Sequence, residues 1–138
     1  MYSLLYVADN FSDFGPLVLR IAVGMIFLVH GLGKFKMWKM PASEQSSGAM
    51  SVMMKILSIV ESLAGLAILV GYFTQLAAAV VGVVMFGALY FKIFVWRTPF
   101  TAMDKTGWEF DFLILAASVA LFLMGPGAVS VDWFYLFI

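Results

Sequence analysis

Four long apolar runs separated by short polar punctuation set the pattern of this chain. The first starts at Pro16, whose fixed φ suits an opening helical turn, and continues to Phe35. The second covers residues 52–70 and stops at Gly71, a C-terminal signal for a helix. The connector from Gly71 to Gln75 is so short and uncharged that the second and third runs must form a tight antiparallel hairpin. The third run covers 75–96 and carries Ala78 and Gly82, a small-xxx-small spacing that permits close helix approach. The fourth ends firmly at Gly125-Pro126-Gly127. Its uninterrupted apolar part, Phe112 to Met124, covers only roughly 20 Å at the helical rise, short of a hydrocarbon core of about 30 Å. To span a bilayer it must reach back to about Lys105, which puts Glu109 inside the apolar layer. The predicted architecture is therefore all-α: a four-transmembrane-helix antiparallel bundle in one domain, residues 1–138, with helices at about 16–35, 52–70, 75–96 and 105–124.

The polar residues inside these runs are few and patterned. At 100° per residue, Arg20, Gly24, Phe27, His30, Gly31 and Lys34 fall within about a third of the circumference of the first helix. Such a stripe must face other helices or a wet cavity, because a charge facing lipid costs several kcal/mol. Arg20 and Lys34 are long enough to snorkel to the two headgroup layers; His30 is not. Glu61 is the one charge in the core of the second run, flanked by Ser58, Ser62 and Gly65 on nearby turns. Between the first two runs, Lys36, Trp38, Lys39 and Pro41 read as an interfacial segment, followed by a polar loop from Ser43 to Gly48. The chain finishes with Trp133, Phe134, Tyr135 and Phe137, an aromatic group suited to the headgroup layer.

Composition settles the class. Of 138 residues, 64% are hydrophobic and 12% charged, with a mean hydropathy of +1.03, whereas soluble domains are about half apolar and a quarter charged. This is a multi-pass integral membrane protein, with the lipid bilayer as its first partner. Eight basic and eight acidic residues cancel, so no charge imbalance points to nucleic acid. The absence of cysteine removes CxxC redox chemistry and thiolate iron–sulfur sites. A single histidine argues against bis-histidine haem. No haem, iron–sulfur cluster or other metal site is expected.

With four spans, both termini lie on one side and the long loops on the other. Lys34, Lys36, Lys39, Lys55, Lys92, Arg97 and Lys105 cluster on the long-loop side and only Arg20 on the terminal side. The positive-inside rule then places the long loops in the cytoplasm and the termini outside the cell membrane. His30, Lys92 and Glu109 should sit roughly 6 to 8 Å below the long-loop interface and Glu61 about 14 Å deep. Two carboxylates, a histidine and lysines descending toward the midplane are groups that can bind a polar head such as a quinone ring and exchange protons with it. The candidate catalytic residues are Glu61, His30 and Glu109; Lys34, Lys92, Arg20 and Asp132 are the candidate cofactor-binding ones. Each also has a structural reading. Glu61 and His30 can be satisfied by neighbouring Ser or backbone groups, Glu109 with Lys92 can be an ion pair, Asp111 can be interfacial, and Arg20 with Asp132 can be an architectural pair. Lys34-x3-Trp38 echoes Lys92-x3-Trp96, and Glu61 echoes Glu109, as in an old parallel repeat with a site at its interface.

The segments Leu19-Arg20 to Gly24, Val29-His30-Gly31 to Lys34-Phe35, Glu61 to Gly71, and Gly125-Pro126-Gly127 to Ser130 and Asp132 resemble, in order and spacing, the DoxX family of small four-helix membrane proteins. The resemblance runs from about Gly15 to Asp132. It implies a link to redox systems, since the family is named after a subunit of an archaeal thiosulfate:quinone oxidoreductase and other members are described as membrane partners of redox-defence enzymes. Two functions follow as expectations. One is a redox-associated subunit holding a quinone-like ligand in a polar pocket within the bundle, with a soluble or membrane redox partner. The other is a non-catalytic module that binds lipid or anchors a partner protein. Transport is a weaker third, because four short helices give little room for alternating access unless the protein forms a homo-oligomer. Whether any reaction is catalysed stays open at this level.

Overall fold

The computed structural model describes residues 14–39, 48–102 and 106–136. Expectations for the segment ahead of Phe14, the polar loop at 40–47, Asp104, Lys105 and Phe137 lie outside the described residues. The main elements are α1 (Phe14–Phe35), α2 (Gly48–Val70), α3 (Thr74–Tyr90), α4 (Glu109–Met124) and the short α5 (Val131–Leu136). A 3-10 turn, Lys36–Lys39, follows α1, and a π-helical turn, Phe91–Val95, extends α3. No strand occurs among the described residues.

α1, α2 and α3 with its π extension have 22, 23 and 22 residues and are apolar enough to cross a membrane. α4 is a fourth, shorter helix of 16 residues, about 24 Å long. It begins at Glu109 and not near Lys105, because the segment ahead of it is occupied as a loop. Trp108 N donates to Pro99 O at 3.4 Å and Glu109 N to Phe100 O at 3.2 Å. Gly107 presses so closely on this strap that a Cβ there would lie 1.9 Å from Phe100 O. At the other boundary α2 starts at Gly48, ahead of the apolar run that signals it.

The helices pack as two close antiparallel pairs, α1 with α2 and α3 with α4, while α2–α3 and α1–α4 contacts close the ring. The α1–α2 seam is backbone against backbone. A Cβ added to Gly24 would lie 2.9 Å from Gly65 O, and one added to Gly65 would lie 2.5 Å from Leu28 N. Gly31 fits against Ser62 in the same way. With little hydrophobic drive between helices in lipid, such close approach is what holds a membrane pair together. The Ala78/Gly82 face of α3 meets α4 at ordinary distance, the nearest atom to an added Gly82 Cβ being Leu115 Cδ1 at 3.8 Å.

The core is small: Val23, Phe27, Ala64, Ile68, Ala77, Val81, Ile114 and Leu121 among others. Arg20, Ser58, Glu61, Thr74, Asp111 and Ser118 are buried with it, while Val18, Val29, Leu63, Val83, Phe86 and Leu123 face outward. Polar inside and apolar outside is the arrangement expected when lipid is the solvent.

Candidate functional site

Two ends of the bundle carry its polar residues, and they do different things. At the end where α2 turns into α3, Arg20 is 2% exposed and spends its donors on carbonyls. Its Nε reaches Ile68 O at 3.0 Å and one terminal nitrogen reaches Leu69 O at 3.1 Å. The other donates to Pro126 O at 2.9 Å and Val129 O at 2.5 Å. Arg20 thus closes the C-terminus of α2, whose last carbonyls lack helical partners, and ties it to the Gly125–Ser130 turn. Asp132 does the reciprocal job, accepting the Phe73 N–H at 2.7 Å and the Thr74 N–H at 2.8 Å at the start of α3. Its own N–H donates to Gly71 O at 2.8 Å. Gly71 sits at φ +75°, and a Cβ there would lie 2.7 Å from both Arg20 Cζ and Ser130 Cβ. Arg20 and Asp132 therefore do not form the ion pair that their positions suggest. They grip one turn from two sides, and neither lines the cavity described next.

At the other end, α1 to α4 and the π turn enclose a cavity of about 520 Å³. His30 and Lys34 reach it from α1, Glu61 from α2, Lys92 from the π turn and Asp111 from α4. Lys34 Nζ donates to Glu61 Oε1 at 2.5 Å. Lys92 pairs with Asp111 and also donates to Gly107 O at 3.2 Å. The π turn widens the coil at Lys92, a type of distortion often found at functional sites.

Glu61 is 4% exposed. Its second oxygen, Oε2, is buried without a hydrogen-bond partner among the described residues. Buried polar atoms are nearly always paired, so an orphaned carboxylate oxygen on a cavity-lining residue calls for an explanation. His30 is exposed, at the edge of the cavity, and its Nδ1 lies 2.9 Å from Ile26 O. A carbonyl only accepts, so Nδ1 carries the hydrogen and Nε2 is the acceptor of the neutral ring.

Glu109 is not part of this group. Its carboxylate accepts the Thr101 hydroxyl at 2.5 Å in an exposed position, and it does not line the cavity. Asp111, expected at the interface, takes the place foreseen for Glu109 beside Lys92. The pattern that locates it is the buried stripe Asp111, Ile114, Ser118, Leu121, which sets the inward face of α4 and leaves Glu109 off it. Trp38, whose position suits the headgroup layer, also donates through Nε1 to Ser58 Oγ at 3.0 Å, fastening the turn after α1 onto α2 beside the site.

The DoxX family profile matches residues 15–95, more than half of the chain. The chain belongs to the DoxX family. That match takes in Arg20, His30, Lys34, Glu61 and Lys92 and ends before Asp111 and Asp132. This DoxX protein is also similar to a Bacillus subtilis (strain 168) protein described as "Putative oxidoreductase CatD", with 31% identity over 126 residues, covering 88% of this chain and 87% of the relative. No solved structure matches it. Membership and the apolar helices together make it a membrane protein.

Proposed function

We propose that this DoxX protein is a redox-associated membrane subunit that binds a quinone-like ring in the cavity between its helices. The observation that carries this reading is Glu61 Oε2, a buried, unpartnered carboxylate oxygen of a residue that lines a cavity of about 520 Å³. That volume falls within the roughly 300–1,000 Å³ typical of small-molecule sites, and a mostly apolar wall with a few convergent polar groups is the usual build of such sites. The similarity to a relative named as an oxidoreductase supports the same direction.

A bound quinone supplies two-electron redox chemistry. The chain's own residues orient the ring and handle protons. Lys34 and Lys92 give positive charge at the polar end of the cavity, where it favours negative charge on a ring oxygen. Glu61 Oε2 and His30 Nε2 are the atoms that take up or return protons. Apolar neighbours such as Phe27, Leu57, Val84 and Ile114 exclude water and hold the ring. Without cysteine or a dinucleotide fingerprint, the electrons come through a partner chain. The excess of lysine and arginine on the long-loop side puts that side, and the mouth near Lys34 and Lys92, toward the cytoplasm.

A second reading rests on the same wall. Its apolar length also suits a lipid acyl chain, which would make the protein a lipid-binding or partner-anchoring module. Purification in mild detergent, solvent extraction and mass spectrometry separate the two. A stoichiometric quinone or quinol bound to the native protein is the expected result. Bulk lipid alone would overturn the redox reading in favour of the second.

A further inference from the structure

Resting on the quinone-like reading of the cavity, we infer that the site is built for the reduced, hydroxyl-bearing form of the ring, and binds quinol in preference to quinone. The reasoning counts donors and acceptors. As the ion-pair partner of Lys34, the Glu61 carboxylate accepts through both oxygens; Oε1 is filled by Lys34 Nζ and Oε2 is vacant and buried. The uncommitted ring nitrogen of neutral His30 is likewise an acceptor, because Nδ1 donates to Ile26 O. Two acceptors without donors therefore belong to residues that line one cavity.

A quinone offers only acceptors. Its carbonyl oxygens would face the lone pairs of Glu61 Oε2 and leave that oxygen unpaired, which is costly in a low-dielectric site. A quinol hydroxyl donates, and a hydrogen bond to a charged acceptor is among the stronger kind. The lysines do not reverse this preference. The remaining N–H groups of Lys34 can donate to a quinone carbonyl or to a quinol hydroxyl oxygen alike, and Lys92 is held by Asp111 and Gly107 O. Discrimination falls to Glu61 Oε2, with His30 Nε2 as the second acceptor.

The test is anaerobic calorimetric titration of the full-length protein in lipid nanodiscs with a short-chain ubiquinol and, separately, the matching ubiquinone. The expected result is about tenfold tighter binding of the quinol, the effect of one charge-assisted hydrogen bond. In Glu61→Gln, Lys34 claims the amide oxygen and turns the amide NH2, a donor, into the cavity, so the preference should disappear or reverse. Glu109→Gln, at a carboxylate that bonds Thr101 and does not line the cavity, should keep it. A native protein that binds quinone within threefold of quinol, or more tightly, overturns the inference while leaving the quinone-like reading standing. A protein that binds neither form overturns both. The native ratio decides the matter even where a variant does not fold.

Discussion

The α1–α2 seam offers the sharpest quantitative prediction. Gly65→Ala adds one methyl group whose carbon would lie 2.5 Å from Leu28 N, 2.9 Å from Gly24 O and 3.0 Å from Leu28 Cα. All three are backbone atoms, so no rotamer change relieves the clash. Ordinary contact starts near 3.4 Å, and the two helices must separate by most of an ångström along the seam. Overpacking of this kind costs typically about 1–3 kcal/mol, and more where backbone must move. The same separation pulls Lys34 on α1 from Glu61 on α2, so the cavity changes with the fold. Thermal unfolding in detergent, followed by circular dichroism, should show the midpoint of Gly65→Ala lowered by roughly 5–10 °C. Gly33→Ala and Gly87→Ala are matched controls, since an added Cβ meets nothing within 4 Å at either position. Each should be neutral or stabilising by up to about 1 kcal/mol from helix propensity. Equal stability of Gly65→Ala and the two controls would refute the close-seam account.

Three further outcomes follow from the polar groups. Lys92→Met alone should destabilise by about 3–5 kcal/mol because it strands Asp111, whereas Lys92→Met with Asp111→Leu should recover most of that loss, as a double-mutant cycle in detergent would measure. Asp132→Ala removes both acceptors for the Phe73 and Thr74 N–H groups and should cost about 1–2 kcal/mol while leaving ligand binding at the distant cavity unchanged. Glu109→Gln, half-buried and off the cavity, should stay within about 0.5 kcal/mol of the native protein and keep its quinone content, measured by extraction and mass spectrometry.

Much of the fold was legible because membrane-spanning helices announce themselves by composition and length. The stops at Gly71 and at Gly125-Pro126-Gly127 and the tight hairpin between them come from local rules that tertiary packing does not override. The start of α4 was not legible, because the span-length argument assumed that every helix must cross the full core. The strap at Pro99 and Phe100, tied to the start of α4 by backbone hydrogen bonds, has no periodicity to give it away. At the site, the stripe on α1 brought His30 and Lys34 to one face, and spacing alone marked Glu61. The choice between Glu109 and Asp111 turned on the rotation of α4, which depth estimates ignore and the buried stripe through Ser118 fixes. Arg20 and Asp132 looked like opposite charges waiting to meet. Carbonyls and N–H groups at helix ends are the stronger claimants, since each lacks a partner within its own helix, and the two charges satisfy those groups separately.

The echo between the two hairpins also reads differently with the side chains in place. Each hairpin sends a lysine from its odd-numbered helix to a carboxylate on its even-numbered one, Lys34 to Glu61 and Lys92 to Asp111. The halves differ at the carboxylates: the Glu61 side leaves an oxygen unsatisfied, and on the other side Lys92 is further tied to Gly107 O. On the proposed quinone reading, that asymmetry would put the first pair in contact with the ligand and leave the second mainly to hold the framework.

The central claim, that a quinone-like ring occupies the cavity beside Glu61, is tested most directly by photoaffinity labelling. A short-chain azidoquinone would be irradiated with the protein in lipid nanodiscs, and the adducts located by peptide mass spectrometry. Saturable labelling confined to cavity residues such as Met53, Leu57, Met85 and Phe110, suppressed by excess unlabelled quinone, is the predicted result. Label spread over outward-facing positions such as Val18, Leu63 and Leu123, with no competition, would contradict it.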